Sequence, residues 1–148
     1  MLSHKQLASA AKLLVLGAAL AATGTAALAT DPAPTAVNVV PATGATWKSI
    51  DGNLQTLESL VGAGKIGDLG ESAYGIANAV ETLPKQSSAL PPADLAQVSG
   101  SVKTVGSLAT KVDKAGDKND KAGTEAALKA LKEALAPLRA IYFKPASK

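Results

Sequence analysis

Apolar residues recur at every third or fourth position in four segments of the chain, which is the spacing that places them along one face of an α-helix. The first segment begins at Trp47 and ends in the glycine-rich stretch Gly62–Gly70, and the second stops before Pro84. Pro91 or Pro92 suits the first turn of the third. The four apolar stripes are Trp47, Ile50, Leu54, Leu57 and Val61; Leu69, Ala73, Ile76, Val80 and Leu83; Leu95, Val98, Val102, Val105, Ala109 and Val112; and Leu128, Leu131, Leu135, Leu138 and Tyr142.

Four amphipathic helices joined by short connections predict an all-α protein, folded as an antiparallel up-down-up-down four-helix bundle. We assign residues 46–144 to this bundle and residues 145–148 to a C-terminal tail. In this topology the start of the first helix and the end of the fourth lie at one pole. Trp47 is therefore expected to pack near Tyr142 and Phe143.

Residues 1–29 have the pattern of a cleavable signal peptide. A basic start precedes the apolar run Leu13–Ala22, and the sequence up to Ala29 fits the small-x-small rule for cleavage after that residue. Residues 30–45 are rich in proline, threonine and small residues and show no helical period, so they predict a flexible tether without a strand. We expect a periplasmic protein with no stable membrane insertion after signal cleavage.

Composition excludes several classes of function once residues 1–29 are set aside. His4 and Met1 fall in that segment and cysteine is absent from the whole chain, so imidazole, thiolate and thioether groups are all missing from the exported part. Zinc and copper sites favour nitrogen or sulfur ligands, and Ser-His-Asp or Cys-His catalysis needs a histidine base. Removing Lys5 and Lys12 leaves 13 basic against 12 acidic residues, with no concentrated basic face. We expect neither an enzyme nor a nucleic-acid-binding protein.

Gly62, Gly64 and Gly67 form the string G-x-G-x-x-G that is known from dinucleotide-binding loops. That function requires a preceding strand and a βαβ unit, whereas here a helical stripe precedes the glycines and no parallel sheet is predicted. We interpret the three glycines as a turn between the first and second helices.

The stretch KVDKAGDKNDKAG, Lys111–Gly123, is rich in oxygen ligands but fits the EF-hand spacing in neither register. The favoured interpretation is structural: Gly116 ends the third helix, and Asp117, Asn119 or Asp120 caps the fourth. The alternative is a site for a hard cation, calcium or a lanthanide-like ion, because the turn between the first two helices would lie at the same pole. Its ligands would be Asp68, Glu71, Asp113, Asp117 and Asp120.

The span Trp47–Tyr142 resembles a group of small exported helix-bundle proteins associated with bacterial metal resistance and metal homeostasis. The resemblance lies in WKSID, in VETLP at the end of the second helix, and in AGDKNDKAGTEAALKALKEAL followed by LRAIY. It implies a non-enzymatic periplasmic binding or accessory protein linked to metal homeostasis. Such proteins are expected to carry histidine at the start of the second helix, where this chain reads GDLGESAYG, Gly67–Gly75.

Two other functions remain open. The chain is also consistent with a module that recognises another periplasmic protein, or assembles with itself, and needs no metal. A helical bundle can in addition carry a small apolar ligand between its helices. The expected partners are accordingly a metal ion, another periplasmic protein or a second copy.

Overall fold

The computed structural model describes residues 36–145, and four α-helices account for most of them. The prediction of an all-α protein with four helices is confirmed. None of the helices in this range is long and apolar enough to cross a lipid bilayer. The predicted signal peptide, residues 1–29, lies outside the described residues. The helices are α1 Gly44–Gly62, α2 Gly70–Gln86, α3 Pro92–Asp117 and α4 Lys121–Tyr142.

Two short strands bring the ends of the described chain together. β1, Ala36–Asn38, pairs antiparallel with β2, Phe143–Pro145. The pairing extends to Val39, whose N–H donates to the carbonyl oxygen of Tyr142 over 2.8 Å. The sequence does not predict β1, because a strand of three residues is too short to show an alternating pattern and its partner lies at the far end of the chain.

Residues 36–45, the second part of the segment assigned to a tether, contain β1, a 3₁₀ turn at Pro41–Thr43 and the first residues of α1. Val40 and Thr43 are buried. The Thr43 hydroxyl donates to the carbonyl oxygen of Val40 over 2.7 Å. This buried hydrogen bond and the burial of Val40 fix a segment whose composition by itself favours an extended chain.

Consecutive helices pack side by side in antiparallel pairs. The Thr46 hydroxyl near the start of α1 donates to the amide oxygen of Gln86 at the end of α2, 2.8 Å away. The Tyr74 hydroxyl near the start of α2 donates to the carboxylate of Asp113 near the end of α3, 3.0 Å away. Each of these contacts joins the beginning of one helix to the end of the next.

The helices therefore meet at two ends that have different contents. We call one end the terminal pole; it holds residues 36–43, 87–91 and 143–145. We call the other end the turn pole; it holds the connections 63–69 and 118–120.

α4 also runs antiparallel to α1, since Lys132 pairs with Glu58 and Arg139 pairs with Asp51. These two helices nevertheless approach each other less closely than consecutive helices do. The closer seam between α1 and α2 is made possible by Gly75, where a Cβ would lie 2.8 Å from the nearest α1 side chain. Among neighbouring helices, α1 and α4 are the least closely packed pair.

The core contains most residues of the predicted apolar stripes, and Trp47 and Tyr142 are its largest fully buried side chains. Four stripe residues are only partly buried: Leu54, Val61, Leu95 and Val102. The predicted end of the second helix is wrong, because α2 continues through Pro84. The Ser87 hydroxyl donates to the carbonyl oxygen of Leu83 over 2.5 Å, which holds the turn around the proline. The buried apolar residues of the helices are Trp47, Ile50, Leu57, Ala73, Ile76, Val80, Leu83, Val98, Val105, Ala109, Val112, Leu128, Leu131, Leu135, Leu138, Ile141 and Tyr142.

Candidate functional site

The α1–α2 connection at the turn pole begins with a Schellman-type helix ending. Gly64 has a φ of 72°. Its N–H donates to the carbonyl oxygen of Val61 over 3.1 Å, and the Lys65 N–H donates to that of Leu60 over 2.9 Å. The interpretation of the glycines as a turn between helices is confirmed. Gly64 is the position where the left-handed backbone favours glycine.

The α3–α4 connection uses the same ending with asparagine in place of glycine. Asn119 has a φ of 55°, which asparagine tolerates better than most residues. Its N–H donates to the carbonyl oxygen of Gly116 over 2.8 Å, and the Asp120 N–H donates to that of Ala115 over 2.9 Å. The predicted helix end at Gly116 is therefore wrong by one residue, because α3 runs to Asp117.

Gly116 instead allows the end of α3 to touch the α1–α2 connection. It is buried, and a Cβ at this position would overlap the carbonyl oxygen of Ile66, in the 3₁₀ turn Ile66–Asp68 of the other connection. It would also lie 3.4 Å from a methyl group of Leu69. Both connections thus lie at one pole, as the sequence predicts. The absence of a side chain at Gly116 permits the close approach of α3 to the α1–α2 connection.

Asp120, one of the five candidate metal ligands, caps α4. Its carboxylate accepts the N–H of Gly123 over 2.9 Å, and its own backbone is extended. This geometry satisfies one of the free N–H groups at the start of the helix. The structural interpretation of the aspartates is confirmed for Asp120.

Asp113, a second candidate ligand, is engaged with α2. Its carboxylate accepts the hydroxyl proton of Tyr74 and lies against Gly70, the first residue of that helix. A negative charge is favourable beside the N-terminus of a helix. The pKa of Tyr74 is raised, and the largest cause is its hydrogen bond to Asp113. The small burial of the ring and the negative charge of Asp113 raise it further.

The other three candidate ligands, Asp68, Glu71 and Asp117, are exposed at the same pole. They lie respectively in the 3₁₀ turn, in the first turn of α2 and at the end of α3. In the described part of the chain, no three side chains of metal-ligating type are grouped so that they could hold one ion. The five carboxylates share a pole without converging, since Asp113 and Asp120 face their own partners.

A groove that sequence reasoning missed lies between α1 and α4. It has a volume of about 470 Å³ and opens to solvent on the half of the seam nearer the turn pole. Leu128 and the half-buried Val61 give it an apolar floor, and a Cβ placed on Gly62 would meet no other atom within 4 Å. Its charged walls are Glu58, Glu125, Lys129, Lys132 and Glu133.

The sequence identified the apolar residues of this groove but not the groove itself. Leu128 and Val61 belong to two predicted stripes, so both were expected in the core. A periodic stripe shows which way a residue faces, and it does not give the separation of two helices that are distant in sequence. The missing information was the width of the α1–α4 seam.

At the terminal pole, the predicted aromatic contacts are present. Trp47 packs edge-on against Tyr142 and Phe143, with ring centroids 5.4 and 5.5 Å apart, and the Arg139 guanidinium lies 5.1 Å from the Trp47 ring centroid. The Tyr142 hydroxyl shares a 2.5 Å hydrogen bond with the hydroxyl of Ser87. Burial raises the pKa of Tyr142 above its ordinary value.

Two buried polar atoms, Nε1 of Trp47 and the hydroxyl oxygen of Thr124, have no hydrogen-bond partner among the described residues. Neither residue lines the groove. The turn pole and the α1–α4 groove are two candidate sites of the described chain. Neither a protein-family model, nor a curated protein, nor a solved structure matches this chain.

Proposed function

We propose that this chain is a non-enzymatic periplasmic accessory protein, built as an up-down-up-down four-helix bundle, that acts by binding a protein partner, either a different protein or a second copy. The binding surface is the α1–α4 face, by which we mean the groove and its bordering side chains. The observation that carries this proposal is the apolar floor of the groove between charged walls. The residues of the face are Glu58, Val61, Gly62, Glu125, Leu128, Lys129, Lys132 and Glu133.

This composition is typical of a surface that recognises a protein. Protein interfaces combine an apolar centre, which contains few charged residues, with a polar rim that stays in contact with water. Leu128 and Val61 supply the centre, and the charged walls supply the rim. Because the groove is open to solvent, a ridge of side chains from a partner helix can enter it, which is a common mode of helix recognition.

A small apolar ligand is supported less well by the same groove. Sites for small ligands are clefts or cavities that bury roughly 70–90% of the ligand surface, and an open groove encloses less. The middle of the bundle is filled by side chains with no exposed surface, such as Ile50, Val105 and Leu131. A carrier would need to separate these packed helices.

A matched pair of glycines offers a direct test of the α1–α4 face. Gly62 in the groove and Gly100 on α3 are both exposed and helical, with space for a side chain. A photo-crosslinking amino acid is placed at one or the other position, and the expressing cells are irradiated. We expect a discrete protein adduct from position 62 and none from position 100. Adducts of equal yield from both positions, or none from either, would overturn the proposed function.

A second candidate is hard-cation binding at the turn pole, in keeping with the resemblance to proteins of metal homeostasis. The observation in its favour is that both connections lie at this pole, with the carboxylates of Asp113 and Asp117 near enough to Tyr74 to raise its pKa, Asp113 more than Asp117. Calcium or a lanthanide ion would compete with Tyr74 for Asp113. This candidate therefore requires a local rearrangement of the turn pole.

The cation candidate is tested by melting the protein with calcium or lanthanum, since an ion that binds the native state raises the melting temperature. The comparison is between the parent and an Asp113→Asn, Asp117→Asn double variant. A rise in the parent that the double variant lacks supports a site at the turn pole. No rise in the parent at about 1 mM ion, roughly the weakest range of extracellular calcium sites, excludes it.

A further inference from the structure

Four exposed charged residues form one row on α4. Lys121, Glu125, Lys129 and Glu133 are spaced by four positions, so they follow one oblique line on the helix surface, and their charges alternate. The last three border the groove. All four side chains are more than half exposed, in pairs with N–O distances of 3.8 and 3.9 Å. In both pairs lysine precedes glutamate, which is the weaker order within a helix, and exposed ion pairs contribute little to stability.

Such a row is its own electrostatic complement when it is turned end over end. Placed antiparallel to a second copy, Lys121 faces Glu133 of the second copy, and Glu125 faces Lys129 of the second copy. Two-fold symmetry repeats both contacts in the opposite sense. Opposite charges then meet at all four positions, which is the self-matching that an isologous dimer requires.

We propose that the α1–α4 face binds a second copy of this chain, in an antiparallel two-fold dimer. This inference rests on the proposed function of that face. The charged row of each copy lies as a ridge along the groove of the other, as in ridges-into-grooves packing, and covers Leu128 and Val61. A partner surface that carried charges of only one sign would face a like charge at every second position of the row, and like-charge contacts are unfavourable. An equally spaced alternating row is the matching partner, and this chain carries one.

The dimer is tested by sedimentation of the protein expressed from its full-length sequence. We expect concentration-dependent dimerisation that weakens as salt rises from about 0.01 M to about 1 M, because the Debye length falls from about 30 Å to about 3 Å. Circular dichroism of each variant below checks that it keeps its helices. If the unmodified protein stays monomeric up to about 1 mM, where even association with a millimolar Kd would be evident, the proposal is overturned.

Charge reversal locates the interface. Lys129→Glu places two like-charged pairs across the symmetry axis and should weaken dimerisation roughly tenfold or more. The double variant Glu125→Lys, Lys129→Glu exchanges the two signs, restores opposite charges at every position, and should recover dimerisation. Lys103→Glu on α3 makes the same change in net charge on an exposed lysine away from the groove, and it should leave dimerisation unchanged.

Several outcomes would overturn the second-copy assignment. Dimerisation that Lys129→Glu leaves intact would place the interface elsewhere, and equal weakening by Lys103→Glu would assign the effect to net charge. Failure of the double variant to recover dimerisation would contradict the pairing of the rows. A cross-link from position 62 to a different protein would sink the second-copy assignment while the proposed function stands. Absence of any cross-link from position 62 would sink both.

Discussion

The two poles of the bundle are held by different physical means. At the terminal pole, the rings of Trp47, Tyr142 and Phe143 pack together, and a hydrogen bond to Ser87 ties in the α2–α3 connection. At the turn pole, backbone hydrogen bonds close two helix endings, and Gly116 lets the end of α3 touch the α1–α2 connection. Side-chain burial dominates the first pole, and backbone geometry dominates the second.

Because of this difference, opposite kinds of substitution should destabilise the two poles. Removing atoms from the terminal pole leaves a cavity and loses apolar burial. Adding atoms at the turn pole forces a backbone contact apart. Pairs of substitutions, one at each pole, therefore test the comparison from the largest expected effect to the smallest.

Trp47→Ala should be the most damaging substitution at the terminal pole. Trp47 is 1% exposed and contacts two other rings, so we expect the free energy of unfolding to fall by about 3–5 kcal/mol. Its Nε1 makes no hydrogen bond in the described structure, so the loss is one of packing. Because Trp47 is the single tryptophan, unfolding in urea is followed by circular dichroism. A loss below about 1 kcal/mol would contradict the assignment of this pole to the core.

Gly116→Ala tests the turn pole by adding one methyl group. The new Cβ would overlap the backbone of Ile66, and overpacking of this kind costs about 1–3 kcal/mol. Gly106→Ala is the matched control, because Gly106 lies in the same helix with no atom within 4 Å of a Cβ. The control should gain up to about 1 kcal/mol from helix propensity. Equal effects in urea denaturation would refute the special packing of Gly116.

The terminal pole was the more predictable of the two from the sequence. The stripes placed Trp47, Tyr142 and Phe143 correctly, because helix periodicity and chain direction together determine which ends of an antiparallel bundle meet. The strand β1 was not predictable, since its three residues show no period and its hydrogen bonds go to the other end of the chain. Local pattern thus gave the helices and their order but not the closure between the chain ends.

The turn pole was predicted in outline and not in its atoms. The sequence indicated caps and glycine turns there, yet it placed the helix end at Gly116, where glycine serves a contact between distant segments. Asn119 takes the left-handed conformation instead. The alternative of a cation site required the carboxylates to converge, because topology brings them to one pole. Their directions depend on hydrogen bonds such as those of Asp113 and Asp120, which no sequence spacing specifies.

Asp120→Ala should give an intermediate effect at the turn pole. It removes the hydrogen bond to the Gly123 N–H, and loss of such a cap typically costs about 1 kcal/mol. Asp120→Asn keeps an acceptor at the cap and should retain most of the stability. Asp117→Ala, at an exposed carboxylate without a capping bond in the described structure, should change the melting temperature least. If Asp117→Ala were as costly as Asp120→Ala, the cap would not explain the loss.

The smallest effects concern the two tyrosines of the chain, one at each pole. Tyr142→Phe removes its hydrogen bond with Ser87 but leaves the bond from Ser87 to Leu83, so we expect a loss of about 1 kcal/mol. Tyr74→Phe removes an exposed bond to Asp113 and should change stability less than Tyr142→Phe.

The pKa values of the same two tyrosines are raised by different causes, which an alkaline titration can separate. Burial raises the pKa of Tyr142, and the hydrogen bond to Asp113 raises that of Tyr74, both above the ordinary value of 10.0. In the unfolded chain both phenols have the ordinary pKa of 10.0, so the folded state binds their protons more tightly. This tighter binding contributes fully to the free energy of unfolding below pH 10.0. The contribution is lost as the pH rises from 10.0 through the raised pKa of each folded tyrosine. Asp113→Asn removes the carboxylate that acts on Tyr74 and should lower that pKa alone. Tyrosinate absorbance during alkaline titration measures both groups, and a fall in the pKa of Tyr142 in this variant would mean that the two poles are not independent.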